Sequence, residues 1–557
     1  MSAGSGVRRG DSVPTIELNL RDLCSLLGRK ISRERLSHAL MMLGMEAEFS
    51  GDNIRLEVFH NRPDLLSPEG VARALSGFLG LKSGLPRYSV GSSRVEVVVS
   101  RDVSGIRPFI AAGVVRGVRL RDEIVASLMQ VQEKLHSSMC RGRRKGSIGI
   151  YDLDRVATPI RYSSVGPGEI KFVPLDFARE LTPAEILREH PKGIEYGKLL
   201  GGMRRYPLLS DSEGRVLSMP PIINSEETRV TEKTENIFID VTGTDERLVN
   251  QVLAIIMTSL GERGFRLERV RVRYPGRTSV TPDLSPRRMR VKPDEVNAVL
   301  NLGLSAAEIV RIAKAMRYGA KKVGGAVEVL VPPHRSDILH RVDLIEDIAI
   351  GYGYDRIAPT LPRVATVGGR LDIERLSERV RWIMVGLGFT EVMTYTLTNP
   401  ERNFGLVRTE GGAVEVANPV SEEHTILRTS LIPSLLGVLR ENRRNPLPQM
   451  IFEVGDVVLL DEDAETGARD ERRVCGMIIG EGFGFTGIRS RAEALLREMG
   501  IKFEVRPIRH PSFIEGRCGE IVVDGASAGI VGEIHPEVIL GFELQHPVSA
   551  FEIKLGS

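Results

Sequence analysis

Alternating apolar and polar residues organise the first part of the chain into short strands and helices. Residues 15–20 and 54–59 alternate with the period of two that a half-buried strand requires. Between them, apolar residues recur with helical spacing. A second helix is predicted at 68–79, because Ser67 can cap it and a proline stands at its first position. This order predicts an α/β module over residues 14–90.

The next region, residues 108–274, mixes both kinds of pattern. Concentrated β-branched residues predict strands at 110–118 and 237–242. The polar run 206–224, with Gly214 at its turn, predicts a hairpin. Helical spacing predicts three helices, at 120–137, 182–190 and 244–262. The region is therefore expected to be an α+β domain.

Residues 275–357 predict a small winged-helix-like domain, with helices at 291–300 and 305–316 and a strand at 327–332. An extended Pro-Pro segment precedes its last helix, since each proline disfavours helical backbone. That helix is expected to begin near Ser336 or Asp337 and to end at Gly351 and Gly353.

Three carboxylates lie within about 60° of one another on this last helix, at Asp343, Glu346 and Asp347. A solvated face is the ordinary interpretation of such a pattern. However, no Lys or Arg stands three or four places away, and like charges destabilise a helix by about 0.2–0.5 kcal/mol per pair. Asp337 can join the group, and four oxygen ligands suit Mg²⁺ better than zinc. We therefore predict a magnesium site at Asp337, Asp343, Glu346 and Asp347.

Composition indicates a large soluble protein without identifying its activity. The 557 residues suffice for several domains, and their 42% hydrophobic and 27% charged content is typical of globular chains. No apolar run reaches the roughly 18 residues of a membrane span. The four cysteines are widely separated, and no signal peptide is evident, which favours a cytoplasmic protein. Residues 1–13 are expected to be disordered, and a net charge of +3 gives nucleic-acid binding no general support.

The carboxylate pattern, followed by Gly-Tyr-Asp-Arg-Ile at 353–357, resembles the β subunits of phenylalanyl-tRNA synthetases of the archaeal and eukaryotic type. The Asn-Arg-Pro-Asp-Leu-Leu-Ser element at 61–67 resembles the same family, and the resemblance covers about residues 14–557. It implies a complex of two α and two β subunits that binds the phenylalanine tRNA. ATP and Mg²⁺ would serve that complex, with ATP bound mainly on α. Two modules of bacterial β subunits are not found in this sequence.

The last part, residues 361–557, resembles the antiparallel-sheet core of class II synthetases. Helix 371–387 and strands at 391–396, 450–458 and 550–554 are expected there. Where active cores carry an arginine that binds the α-phosphate of ATP, this chain has Leu459, and the closing glycine-rich motif is missing. The resemblance therefore implies a catalytically silent core that assembles with an active α subunit.

The region 108–274 resembles the editing domain of the family, which removes tyrosine wrongly attached to the tRNA. The matching pocket residues are Leu209, Ser218, Asn224, Asp240 and Thr242. Asp240 and Thr242 would share one face of a strand. No Ser-His-Asp or Cys-His set accompanies them, so hydrolysis would use a positioned water.

Three alternatives stay open. The basic tract at 141–145 is a solvated loop or a phosphate contact. The whole chain could be a scaffold without editing activity. It could also be a free-standing nucleic-acid-binding protein, although its winged-helix-like domain ends in an acidic helix.

Overall fold

The structure is a computed structural model that describes residues 13–556, and its contacts divide the chain into two compact units, Met1–Thr360 and Leu361–Ser557. Helices and several β-sheets are interleaved along the chain, which confirms the α+β, multidomain prediction. Residues 1–12 of the segment expected to be disordered lie outside the described residues. Among the helices of the described part, none has the length and apolarity to cross a membrane.

A small antiparallel sheet with three helices begins the first unit. Its elements are β1 (Thr15–Asn19), α1 (Leu20–Leu27), α2 (Arg33–Met42), β2 (Met45–Ser50), β3 (Asn53–Val58) and α3 (Pro68–Phe78). The sheet order is β1-β3-β2. As predicted, the Ser67 hydroxyl caps α3 by accepting the Gly70 N–H at 3.1 Å. Strand β2 was not predicted; it is an edge strand in which Met45 alone is buried.

A ten-stranded sheet dominates the first unit. Its region contains β4 (Val90–Val99), β5 (Phe109–Arg116), α4 (Asp122–Ser137), β6 (Gly146–Asp152), β7 (Ile160–Val165), α5 (Pro183–Glu189), α6 (Pro191–Tyr196), β8 (Tyr206–Ser210), β9 (Val216–Met219), β10 (Ile223–Asn224), β11 (Asn236–Gly243), α7 (Glu246–Glu262), β12 (Arg266–Tyr274) and β13 (Arg277–Thr281). The strand order is β10-β9-β8-β7-β4-β12-β5-β11-β6, with β13 paired to β12. The predicted limits of 108–274 are too narrow for this sheet, because β4 and β13 belong to it.

The three-stranded sheet that follows is antiparallel, in the order β14-β16-β15. Its region contains β14 (Arg287–Val291), α8 (Pro293–Leu300), α9 (Ala306–Ala315), β15 (Gly319–Val323), β16 (Ala326–Val331) and α10 (Arg341–Tyr352). The predicted start of α10 near Ser336 or Asp337 is wrong. The Asp343 carboxylate accepts the N–H groups of Leu339 and His340, both at 2.7 Å, and thereby fixes the helix start at Arg341.

One continuous hydrophobic core runs through the first unit. It joins apolar residues of the N-terminal helices, the large sheet and the three-stranded sheet. Helix α7 is buried over most of its length and contacts β5, β11 and α3. A hydrogen-bonding contact of 3.2 Å between the Ser67 and Ser259 hydroxyls lies inside this core. The three parts of this unit therefore share their interior.

The second unit is built on a seven-stranded sheet. It contains α11 (Asp372–Gly386), β17 (Thr390–Glu391), β18 (Leu397–Thr398), β19 (Ile426–Leu427), α12 (Ile432–Glu441), β20 (Gln449–Leu460), β21 (Ala468–Ile479), α13 (Phe485–Glu498), β22 (Glu504–Pro507), β23 (Phe513–Val523), β24 (Ala526–Ile534), α14 (Pro536–Gly541) and β25 (Val548–Lys554). The order is β17-β20-β21-β25-β24-β23-β22, and all pairs except β17–β20 are antiparallel, as expected. Of the predicted strand 391–396, only Glu391 lies in a strand, β17. The N–H of Val392 still bonds to Phe452 of β20, whereas the carbonyl of Thr396 accepts the N–H of Arg428.

Candidate functional site

A cavity of about 380 Å³ lies beside strands β6 and β11 in the first unit. We name it the Asp240 cavity. Its wall includes three of the five predicted pocket residues, Ser218, Asn224 and Asp240, among apolar side chains such as Leu128. Its volume falls in the range of small-molecule sites, and a few polar groups in an apolar wall are typical of them.

Asp240 lies at the centre of β11, between two antiparallel neighbours. It is opposite Ala112 of β5 and opposite Gly149 of β6. Because both neighbours are small, the carboxyl group has room on its own face of the sheet, and only 1% of Asp240 is exposed. The topology therefore holds one carboxyl deep in the wall of the cavity.

The carboxyl of Asp240 and the hydroxyl of Ser218 are both hydrogen-bonded to the hydroxyl of Tyr151. The Tyr151 Oη lies 2.6 Å from Asp240 Oδ1 and 2.8 Å from Ser218 Oγ. A hydroxyl has one hydrogen, so Tyr151 donates to the carboxylate and accepts from the serine. Burial raises the pKa of Asp240 to about 7, although the Tyr151 hydrogen bond and the Arg107 charge act in the opposite direction. Burial also raises the pKa of Tyr151 far above its ordinary value, so its phenol stays neutral.

Gly149 makes this arrangement possible. A Cβ atom built there would lie 1.9 Å from Tyr151 Oη and 2.4 Å from Asp240 Oδ1. Both distances are far below van der Waals contact, so a side chain at 149 would displace the hydroxyl or the carboxyl. The Tyr151 ring uses the space that the absent side chain leaves.

The other two predicted pocket residues, Leu209 and Thr242, do not line the cavity. Leu209 is fully buried in the hydrophobic core under the sheet. The Thr242 hydroxyl is 2.9 Å from that of Ser147 and accepts the Arg107 Nε–H at 3.1 Å. Asp240 and Thr242 share a face as predicted, but Thr242 is occupied in supporting Ser147 and does not itself line the cavity.

Helix α4 supplies wall residues that sequence reasoning missed. Gln132, Glu133 and His136 all line the Asp240 cavity. The His136 Nε2 accepts the N–H of Ile148 at 2.8 Å, and burial lowers the pKa of His136 to about 4. Interaction with His136 and with the Arg143 guanidinium lowers the pKa of Glu133 to about 2. At neutral pH the histidine is therefore uncharged and the glutamate ionised.

Arg143 brings the basic tract into the same wall. Its Nη2 lies 2.7 Å from Glu133 Oε1, and its Nη1 donates to the carbonyl of Ile222 at 3.0 Å. Arg143 is buried, whereas Arg141 and Arg144 are exposed. The tract is thus not uniformly a solvated loop, and the left-handed backbone at Arg143, with φ of 64°, turns this side chain inward. The charged run does not distinguish Arg143 from Arg141 and Arg144, so the sequence carries no signal for this buried contact.

The predicted magnesium ligands are arranged differently. Arg335 lies between two of them, with Nη1 2.6 Å from Asp347 Oδ2 and Nη2 2.7 Å from Asp337 Oδ2. The Tyr318 hydroxyl also donates to Asp347. We name Arg335, Asp337, Asp347 and Tyr318 the Arg335 cluster. A guanidinium already neutralises these two carboxylates, so they do not present a free pair to a cation.

The remaining two predicted ligands point to other tasks. Asp343 caps helix α10, and Glu346 is exposed. Within residues 13–556, no three His, Cys, Asp or Glu side chains gather closely enough to hold a metal ion. The four residues as arranged do not fit Mg²⁺, and the magnesium site stays a prediction that this geometry does not favour.

The second unit has its own cavity, of about 600 Å³, with Leu459 in its wall. Its Lys and Arg side chains are already paired with carboxylates. Glu471 lies 2.8 Å from Arg473 and 3.0 Å from Lys554, and Glu552 lies 2.8 Å from Arg473. The wall therefore has Leu459 at the position where a phosphate-binding arginine would stand in an active class II core, and its cations are paired with carboxylates.

Three family models match consecutive parts of the chain. Residues 118–263 match the B3/4 domain, and residues 289–354 match the tRNA synthetase B5 domain. Residues 357–555 match the CLM domain of the phenylalanyl-tRNA synthetase β chain. The first match contains Asp240 and the second contains the Arg335 cluster.

Curated relatives match almost the whole length. A phenylalanine–tRNA ligase β subunit of Archaeoglobus fulgidus is 46% identical over 98% of both chains. Another, of Methanothrix thermoacetophila, is 44% identical over 98% of this chain and all of that one. A crystal structure of an N-terminal fragment of the phenylalanyl-tRNA synthetase β-subunit from Pyrococcus horikoshii is 40% identical, with a TM-score of 0.59, and covers 61% of this chain and 99% of that fragment. On this evidence the chain belongs to the β subunits of phenylalanine–tRNA ligases, which are aminoacyl-tRNA synthetases of protein biosynthesis.

Proposed function

We propose that this chain assembles with an α subunit, two copies of each, and that the Asp240 cavity hydrolyses tyrosine wrongly attached to the phenylalanine tRNA. The observation that carries the proposal is a buried carboxyl in the wall of a cavity of amino-acid size, with which no cation of residues 13–556 forms an ion pair. Synthesis of the aminoacyl-tRNA from ATP is assigned to the α subunit. The paired charges and Leu459 in the cavity of the second unit support this division.

Discrimination rests on one hydroxyl group. Phenylalanine and tyrosine differ only at the phenolic hydroxyl. A site that hydrogen-bonds this hydroxyl discriminates strongly against phenylalanine, whereas an apolar pocket for phenylalanine discriminates only weakly against tyrosine. An ionised Asp240 can accept the phenolic hydrogen of a tyrosyl group. A phenylalanyl ring would leave the buried carboxylate without that donor, at a cost of about 1–3 kcal/mol. The cavity would therefore retain tyrosyl-tRNA and release phenylalanyl-tRNA.

The hydrolytic step is assigned to a water molecule beside helix α4. Its oxygen bonds to the ester carbonyl carbon, the bond from that carbon to the ribose oxygen breaks, and the proton that the water gives up passes to the ribose oxygen. Glu133, ionised at neutral pH, can accept a hydrogen bond from the water, and Arg143 can stabilise negative charge that develops on the carbonyl oxygen. His136 accepts a backbone N–H through Nε2, so its role is to orient this helix face. ATP and Mg²⁺, expected in the synthetic reaction, take no part in this hydrolysis.

A deacylation assay tests the proposal. The chain is co-expressed with its α partner, and release of tyrosine from preformed tyrosyl-tRNA is compared with release of phenylalanine. We expect faster loss of tyrosine, reduced about 10- to 100-fold by Asp240→Asn, because a charged hydrogen bond contributes about 1.5–3 kcal/mol. Asp154→Asn, at an exposed carboxylate just after β6, is the matched control and should leave the rate unchanged. Equal, slow loss of both amino acids would contradict editing and leave a purely structural subunit.

A further inference from the structure

The side chains assigned to bind the substrate hydroxyl already bind a tyrosine of this chain. Tyr151 Oη bridges Ser218 and Asp240 Oδ1, and it does so from the strand next to Asp240. A tyrosyl substrate must therefore either replace the Tyr151 hydroxyl or bond to a part of Asp240 that Tyr151 leaves free. The two possibilities give Tyr151 opposite roles.

Packing holds the Tyr151 side chain in place. Only 1% of the residue is exposed, and its ring stacks on Phe238 at a centroid distance of 5.9 Å and an interplanar angle of 28°. Tyr151 and Phe238 are direct partners across β6 and β11, and the space above Gly149 matches the hydroxyl end of the ring. Displacement would move a fully packed aromatic residue within the sheet.

We propose that Tyr151 is a positioning residue that sets tyrosine specificity. By donating to Oδ1, it fixes the Asp240 carboxylate and leaves Oδ2 to accept the hydrogen of the substrate phenol. Among residues 13–556, no side chain or backbone group bonds to Oδ2. This role rests on the proposed editing function and adds the residue that prepares the carboxylate.

Electrostatics support the geometry. Burial disfavours the ionised form of Asp240, and the hydrogen bond from Tyr151 is the first effect that favours it, followed by the Arg107 charge. Tyr162 is also buried; burial raises its pKa and the Asp240 charge adds to that rise, so its phenol stays neutral. If Tyr151 loses its hydroxyl, a larger fraction of Asp240 is protonated at neutral pH, and a protonated carboxyl is a poorer acceptor for the phenol.

The test is Tyr151→Phe in the complete complex with the α partner. We expect tyrosyl-tRNA deacylation to fall at least about tenfold at pH 7. The pH midpoint, at which deacylation of tyrosyl-tRNA reaches half its maximal rate, should move upward. The slow loss of phenylalanine and the rate of tRNA charging should stay unchanged. The matched control is Tyr162→Phe, which removes an equally buried hydroxyl that donates to the carbonyl of Arg107 at 2.8 Å. This control should not move the midpoint, and melting temperatures check that both variants fold.

Three outcomes decide between the roles. Tyrosine release by Tyr151→Phe at the original rate and midpoint would reduce Tyr151 to packing, and faster release would show that its hydroxyl competes with substrate. Either result overturns the positioning role while the preference of the unsubstituted complex for tyrosyl-tRNA upholds editing. If the unsubstituted complex shows no such preference, the proposed function fails, and with it the role of Tyr151.

Discussion

Asp240 and Asp347 are two buried carboxyls in similar surroundings with opposite behaviour. Their exposed fractions are 1% and 5%, and each accepts a hydrogen bond from a buried tyrosine. Burial raises the pKa of Asp240 to about 7. Burial acts in the same direction on Asp347, yet the adjacent Arg335 guanidinium lowers its pKa below the ordinary value. The difference is one cation at 2.6 Å.

The comparison distinguishes a buried carboxylate that stabilises the fold through an ion pair from one that is left free to bind a ligand. In the Arg335 cluster the carboxylate is neutralised by the fold and has no charge left to offer a ligand. Asp64 repeats this pattern, since Arg62 at 2.8 Å lowers its pKa despite complete burial. Asp240 keeps an unneutralised carboxyl beside a cavity, and a perturbed pKa in such a position is typical of functional sites.

The largest expected effect lies in the Arg335 cluster. Asp347→Ala leaves Arg335 buried with Asp337 as its remaining partner, and breaking a buried ion pair in this way costs about 3–5 kcal/mol. Urea denaturation should show this loss in the free energy of unfolding, whereas Glu346→Ala, one residue away and exposed, should change it little. Equal small losses in both variants would show that the ion pair does not stabilise the fold.

The second prediction concerns the opposite pH responses of the two carboxyls. Asp240 binds its proton more tightly in the folded chain, near pH 7, than at its ordinary value of 3.8. Its stabilising contribution is therefore lost as pH rises through this window, by up to about 4 kcal/mol. Asp240→Asn should raise the free energy of unfolding at pH 8 and change it much less at pH 5.

The contrasting carboxyl supplies the control for that measurement. Asp347 has a lowered pKa, so its contribution is present at neutral pH and is lost as pH falls below its ordinary range. Asp347→Asn should therefore destabilise most at pH 8 and less in acid. If both asparagine variants changed stability in the same direction at pH 8, the distinction drawn from Arg335 would be wrong.

The smallest effect is expected from metal removal. Because Arg335 neutralises Asp337 and Asp347, treatment with a magnesium chelator should leave the melting temperature of the chain unchanged. Glu346→Gln should likewise alter stability by no more than about 0.5 kcal/mol, as for other exposed positions. A bound magnesium ion that disappears with Glu346→Gln, together with a lower melting temperature, would instead restore the predicted four-carboxylate site.

The amino-acid sequence predicts the helices and strands of this chain better than the contacts between them. Asp240 could be predicted as a site residue, because the strand pattern places it in β11 and the family resemblance marks its position. The hydrogen bond from Tyr151 to Asp240 could not be predicted from the sequence, because it depends on the register between β6 and β11 and on the absence of a side chain at Gly149. No local pattern carries either fact.

The carboxylates of helix α10 show the same limit. Asp343, Glu346 and Asp347 all lie in α10, as their spacing predicts, and no Lys or Arg stands three or four places from any of them. The cation is instead Arg335, which lies in the segment before the helix and forms an ion pair with Asp347. Helical periodicity cannot register a partner that the tertiary fold supplies.

The continuous core of the first unit has a consequence for how this chain can be divided. Separate family models match residues 118–263 and 289–354, as if each were a portable module. Helix α7 and its buried neighbours belong to an interior shared with the N-terminal helices and the three-stranded sheet. A gene fragment cut at the edges of one module would leave that shared interior facing water. Recombination between relatives should therefore succeed at the boundary near residue 360 and fail at the boundaries that sequence families mark inside the first unit.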